Sequence, residues 1–307
     1  MNKKLLLSLI PFMALTGCGS QHQLELTVAA PAGSPAIAFY NYLGDTNHLE
    51  VNSDANNVLA YFGADSKTIK DIIVAPTNAG VGKINSGAPY KIAATVTFGN
   101  FFLLSTGKDT NNVLDEGDKV LAFQENGVAG KLYKYLYGDK TSNVTYVADA
   151  KAVNNAIADK DFDYAYVLLA QPVVYNVLAA QKAFSVYASL QNDYKEKTGK
   201  ELTQASIFIR NTADKEKADA MLKAVKSDIE KLVKRPNAFL KAVKGLEDQI
   251  IASKATAKKE VIVELLSDNN ALGMGFKYAK ENKEAIDTFV KAVGMGETSE
   301  EIYYSVD

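Results

Sequence analysis

The residues that could do chemistry in this chain are few and scattered. Histidine occurs twice, at His22 and His48, and cysteine once, at Cys18. A metal centre wants clustered Cys and His at ligand spacing, so no metal is expected. Ser34 in "AGSPA" departs from the Gly-x-Ser-x-Gly elbow that exposes a nucleophile, and His48 is the only histidine expected in the folded part to activate it. The stretch "NGVAG" (126–130) lacks the Gly-Lys-Ser/Thr ending of a phosphate loop, and "PAGSPA" lacks the Gly-x-Gly-x-x-Gly spacing of a dinucleotide site. Asp161 and Asp163 in "DKDFDY" read as a solvated turn in preference to a metal site. No acid–base pair stands out, so the expectation is a protein that is not an enzyme and carries no cofactor.

Binding chemistry fares better. Small and polar residues recur in loops just after apolar, β-branched runs: "APAGSP" (30–35), "APTNAG" (75–80), "TFGN" (97–100), "QENGVAG" (124–130) and "AQP" (170–172). In open α/β sheets ligands bind outside the carboxyl ends of strands. Small residues there let the backbone approach a ligand, and helix-start N–H groups attract polar oxygens. Ser34, Thr77, Asn78 and Asn100 add hydroxyl and amide groups. Any one loop reads equally as an ordinary cap or turn, but several at strand ends point to a shared cleft.

The elements that must position these loops are legible from periodicity. Strands are expected at 24–30, 48–54, 71–76, 163–169 and 203–211, alternating with helices, which points to parallel α/β units. Residues 55–64 read as a helix, Pro35 opens another, and Asp149 caps a third. The long run 90–106 reads as two strands bent at Gly99 and Asn100. Beyond Thr212 the chain becomes rich in lysine and glutamate and reads as helical, with helices at 214–231, 237–250, 258–266 and 282–293. Two lobes, with the chain crossing near Gly99 and again near Thr203, follow from this layout.

The N-terminus has its own logic. Lys3 and Lys4 precede an apolar run from Leu5 to Leu15, then small residues and Cys18. This is the layout of a secretory signal, and the run is too short to span a membrane. "LTGC" (15–18) resembles the lipobox of bacterial lipoproteins, in which cleavage leaves a lipid-bearing cysteine at the new N-terminus. A buried helix with an incidental cysteine is the alternative. Residues 1–17 are thus read as a signal peptide and 18–23 as a lipidated tether on the outer face of the cell membrane. Losing Lys3 and Lys4 takes the net charge from −2 to −4. A mildly acidic chain without a basic stripe speaks against nucleic acid. The two arginines, Arg210 and Arg235, speak against a ligand clamped by several guanidinium forks.

Taken in order, the lipobox, "VAAPAGSPAIAF", "DIIVAPTNAGVGKI", "TVTFGNFFLLS", "KVLAFQENGVAGKLYKYL", "DYAYVLLAQPVV" and "QASIFIRN" resemble the substrate-binding proteins of bacterial ABC importers. The group is the type 2 class, which includes nitrate, sulfonate, taurine and thiamine-precursor binders. "SDNNALGMGFKYAKENKEAIDTFVKAV" (267–293) resembles the segment that closes many members. The resemblance implies an α/β, two-lobed fold, with lobe 1 at 24–98 and 204–307 and lobe 2 at 99–203. A solute would sit between the lobes and be handed to an ABC permease. Carried over by residue, the ligand site is Gly33, Ser34, Thr77, Asn78, Phe98, Gly99 and Asn100 from one side and Asn126, Gly127 and Gln171 from the other. Asn270 and Phe276 are further candidates, Phe276 equally as a packing residue. Many members carry Glu-Pro where this chain has Gln171-Pro172, which tells against a site selecting cationic amines. A neutral or weakly anionic small organic solute is expected, an aromatic one included. Two rival classes stay open: a lipid-anchored enzyme on a related two-lobed fold, and a surface or sensor protein that kept the fold without the ligand.

Overall fold

The computed structural model describes residues 24–63, 68–108 and 113–306. The expected signal peptide, Cys18 and its tether lie outside the described residues. Two sheets organise the chain. The N-terminal part runs β1 (Val28–Pro31), α1 (Ser34–Ile37), β2 (Leu49–Asn52), α2 (Ala55–Ala60), β3 (Ile72–Pro76), α3 (Thr77–Asn85) and β4 (Tyr90–Thr97). The middle part runs β5 (Phe101–Ser105), β6 (Val120–Phe123), α4 (Val128–Tyr137), β7 (Val144–Val147), α5 (Ala150–Ile157), β8 (Tyr166–Ala170), α6 (Val173–Ala180), β9 (Ser185–Ser189) and α7 (Leu190–Thr198). The chain then returns through β10 (Ala205–Arg210), α8 (Lys215–Lys234), α9 (Ala238–Ala242), α10 (Asp248–Ala255), α11 (Lys259–Ser267), β11 (Met274–Tyr278) and α12 (Lys283–Ala292).

The first sheet has the order β11-β4-β10-β3-β1-β2 and the second β7-β6-β8-β5-β9. In the first, β1 is parallel to β2 and β3, while β10 lies antiparallel between β3 and β4. In the second, β6 is parallel to β7 and β8, and β5 is antiparallel to β8 and β9. β6 and all but the last residue of β3 and of β8 are buried, as near-continuous apolar runs in covered sheets require. The chain passes from the first sheet to the second through 98–100 and back through 199–204.

Local chemistry fixes the elements. Asp149 Oδ1 accepts from Ala152 N at 2.7 Å and caps α5, and Asp214 caps α8 through Lys217 N at 3.1 Å. In α4, Val128, Leu132, Tyr133 and Leu136 share one buried stripe at helical spacing. Gly80 lets α3 lie directly on the first sheet, since a Cβ there would come within 2.1 Å of Phe208 Cζ. One core fills the face of the first sheet bearing Ile73 and Phe208 and runs on into the second sheet; another, with Ile207 and Ile209, fills the opposite face beneath α8, α10 and α11.

The sequence reading needs four amendments. The first strand begins at Val28, not Leu24. The expected helix 237–250 is two, α9 and α10, parted around Gly245, whose φ of 86° suits a turn. β9 and α7 were not anticipated. The region past Thr212 also holds β11, which pairs with β4 as the edge of the first sheet. Its "MGFKY" is short and Gly-interrupted, so no strand pattern stands out in it. No helix among the described residues is long and apolar enough to cross a membrane.

Candidate functional site

Ser34 opens α1 just after β1 and is buried. Its hydroxyl donates to Leu272 O at 3.0 Å. Asn100, buried on the turn between β4 and β5, donates Nδ2 to Ser34 Oγ at 3.2 Å and to Gln171 O at 3.3 Å. Gln204, on the return crossing, donates Nε2 to Asn100 Oδ1 at 3.0 Å and accepts from Asn100 N through Oε1 at 3.1 Å. Gln171 N in turn donates to Asn100 O at 2.9 Å. One side chain therefore joins the first sheet, the second sheet and both crossings.

Thr77 and Asn78 form the first turn of α3, beside that junction. Gln204 N donates to Thr97 O at 2.9 Å, and Thr77 N donates to Gln204 O at 3.0 Å, so the ends of β3 and β4 meet around Gln204. The Thr77 and Ser206 hydroxyls are 2.8 Å apart, with the Thr95 hydroxyl 3.3 Å from Ser206. Asn78 Oδ1, Thr97 Oγ1 and Thr203 Oγ1 are buried here without a hydrogen-bond partner. A buried polar atom left so costs about 1–3 kcal/mol.

Gly99 and Gly273 make the close approach. Gly99 has φ of 116°, and a Cβ on Gly273 would lie 2.0 Å from Gly99 O. Phe98 N donates to Gly273 O at 2.7 Å. The Phe98 ring is half-buried and lies under Lys277, whose Nζ stands 5.8 Å from its centroid. Gly33 sits at φ 92° and donates its N–H to Lys254 O at 3.1 Å. The Lys254 ammonium turns away to Leu43 O, and burial pulls its pKa down, against a smaller upward pull from Asp45.

The sequence-predicted residues divide. Gly33, Ser34, Thr77, Asn78, Phe98, Gly99, Asn100 and Gln171 gather at this junction. Asn126 and Gly127 do not join it by any hydrogen bond among the described residues: Asn126 stands exposed, and Gly127 N donates to Gln124 O at 2.8 Å. Asn270 spends both amide groups on Met274, at 2.6 and 3.1 Å, and Phe276 packs edge-on against Tyr278 at 5.0 Å. Sequence reasoning missed Gln204, Thr203 and Tyr175. Tyr175 N donates to Gln171 Oε1 at 3.1 Å, so Gln171 caps α6. The Tyr175 hydroxyl donates to Glu264 Oε2 of α11 at 2.7 Å, a bond that raises its pKa, with burial adding to the effect. The one available signal was the four-residue spacing from Gln171 to Tyr175.

The side chains at the junction are amides, hydroxyls and one aromatic ring. Such a surface can orient a polar, uncharged group and stack a flat one. It offers no nucleophile–base pair. Two open concavities are lined by other residues. One of about 590 Å3 is lined by Tyr90, Asn211 and Ile302 at the far end of β4 and β10, and one of about 320 Å3 by Lys195, Lys200, Lys277 and Asn282. Asp163 is exposed and paired with Lys119 at 2.8 Å, as a solvated turn would be. No group of metal-ligating residues occurs among the described residues.

Two α/β layers joined by two crossings, with polar strand ends turned toward the junction, define the two-lobed periplasmic-binding-protein fold. Solved structures share it. A structure described as an ABC transporter from Parabacteroides distasonis matches with a TM-score of 0.72 at 18% identity, over 92% of this chain and 99% of that one. The periplasmic aliphatic sulphonate binding protein of Escherichia coli matches with a TM-score of 0.64 at 11% identity, over 94% of each chain. A Candida albicans protein described as defining a new family with the generic periplasmic-binding-protein fold matches with a TM-score of 0.55 at 11% identity, over 90% and 92%. No family model matches the sequence, and no curated protein does.

Proposed function

We propose that this chain is the solute-binding protein of an ABC importer. On this reading it captures a small organic solute between lobe 1 (24–98 and 204–307) and lobe 2 (99–203) and presents it to a membrane permease. Cys18 carries a lipid that holds the protein on the outer face of the cell membrane. The observation that carries the reading is the convergence of Ser34, Asn78, Asn100 and Gln171 where the two crossings meet. A binding cleft needs both layers to contribute, and hinge-like strands between them. Two solved structures with this fold are described as an ABC transporter and a sulphonate binder, which supports transport over catalysis.

The solute is polar and neutral or weakly anionic, an aromatic one included. Asn78 Oδ1, Thr97 Oγ1 and Thr203 Oγ1 favour a hydroxyl, carbonyl or amide group at its inner end. Neither arginine lies among the proposed ligand residues: Arg210 pairs with Asp71 at 3.0 Å, and Arg235 follows α8. Fixed anions such as sulphonates therefore lack the guanidinium fork that would hold them.

A thermal-shift panel of small amides, polyols, aromatic acids and alkanesulphonates tests the reading, with native mass spectrometry of the purified protein to reveal a retained solute. A neutral solute at saturation should raise the melting temperature, by about 2.7 kcal/mol of added stability at a hundred times its Kd. If no compound raises it and no solute is retained, the surface or sensor reading takes its place. Consumption of a bound compound over hours would favour the enzyme.

A further inference from the structure

Tyr175 belongs to α6, which packs on the second sheet, yet its side chain packs against the core of the first sheet that lies beneath α8, α10 and α11. Its hydroxyl donates to Glu264 Oε2 at 2.7 Å. Glu264 lies on α11, which packs with α8, α9 and α10 beside the first sheet. Tyr175 is also one helical turn beyond Gln171, whose carbonyl accepts from Asn100 and whose side chain caps α6. The start of α6 is thus fixed to the crossing, and its next turn reaches over to the other layer.

We propose that Tyr175 and Glu264 form a latch that holds the two layers closed and sets how long a solute stays between them. Opening the cleft must pull the Tyr175 ring off the first layer's core and break its bond to Glu264. Closing restores both together, because the ring and the hydroxyl belong to one side chain on a helix already oriented by Gln171. The latch needs no solute to form. It biases the solute-free protein toward the closed arrangement and slows solute release by making opening costlier. Its role in solute residence rests on the binding reading above; its effect on closure does not.

Small-angle X-ray scattering of the solute-free protein tests this with Tyr175→Phe, Glu264→Ala and the double variant. Each single variant should raise the ratio of open to closed molecules by roughly three- to tenfold, the range for one solvent-accessible hydrogen bond to a charged acceptor. The double variant should open no further than either single one, because the two side chains act through one bond. Scattering curves that superpose on the wild type's overturn the proposal. So does a wild-type curve already as open as the variants', or opening that adds in the double variant. Should the solute panel fail while the variants open the molecule, the latch stands and the importer reading falls.

Discussion

Asn100, on the turn that carries the chain from one sheet to the other, donates its amide to the Ser34 hydroxyl at 3.2 Å. The same side chain bonds Gln171 O and Gln204 Nε2, so a single buried amide ties each layer to both crossings. A buried network of this kind is rigid when every member is satisfied and fragile when one is removed.

Asn100→Ala should therefore destabilise the protein by about 1–3 kcal/mol, the cost of leaving the Gln204 amide and its neighbours unpaired. Urea unfolding checks this through a lowered midpoint at unchanged slope. A midpoint within error of the wild type's would mean that the junction does not depend on Asn100.

Thr97→Val separates stability from binding. The Thr97 hydroxyl is buried without a partner, and a methyl of the same shape removes that penalty. The solute-free variant should be more stable by about 1 kcal/mol. Its melting temperature should respond less to whichever panel compound stabilises the wild type. A less stable variant would show that the hydroxyl is already satisfied in the solute-free protein.

Asp45 gives the fold an acid-sensitive corner. Burial would raise its pKa, but the bonds from Leu24 N at 2.8 Å and from His48 outweigh burial and hold it below the ordinary value of 3.8. A carboxyl whose pKa falls on folding stabilises the native state above the unfolded value, and that contribution is lost as pH drops through the folded one. Wild-type urea midpoints should fall between about pH 5 and pH 3 more steeply than those of Asp45→Asn. Parallel profiles would remove Asp45 from the acid response.

Gly80 and Gly63 form a matched pair. A Cβ at Gly80 meets the Phe208 ring at 2.1 Å, whereas one at Gly63 has nothing within 4 Å. Gly80→Ala should cost about 1–3 kcal/mol through overpacking, while Gly63→Ala should stay within about 0.5 kcal/mol of wild type. Equal melting temperatures for the two would contradict the close seating of α3 on the first sheet.

Much of the architecture was legible in one dimension because burial has a period. "IIVA" (72–75) and "YVLLA" (166–170) are near-continuous apolar runs, as strands covered on both faces must be. Asp149 and Asp214 precede helical stripes, as side-chain caps do. The bend at Gly99 and Asn100 showed as a glycine–amide pair inside a β-branched run. β11 escaped because "MGFKY" draws its stability from pairing with β4 and not from its own composition. The break between α9 and α10 escaped because their apolar spacing runs through Gly245.

The candidate site was readable only as a set of residue types. Ser34, Asn78, Asn100 and Gln171 attracted notice because amides and hydroxyls at strand ends can orient a ligand. Gln204, Thr203 and Tyr175 looked ordinary in their local stretches. Gln204 and Tyr175 matter through partners 104 and 89 residues away, Asn100 and Glu264, and Thr203 through the burial of its hydroxyl. The sequence by itself determined the alternation of strands and helices, the two crossings and the polar character of the strand-end loops. Those follow from local periodicity and from what each side chain can donate or accept. Which loops meet, which polar atoms are left unpartnered, and which tyrosine reaches the opposite layer were decided by the tertiary structure alone. A hydrogen bond between distant residues depends on sheet order and helix seating, and no local pattern encodes either.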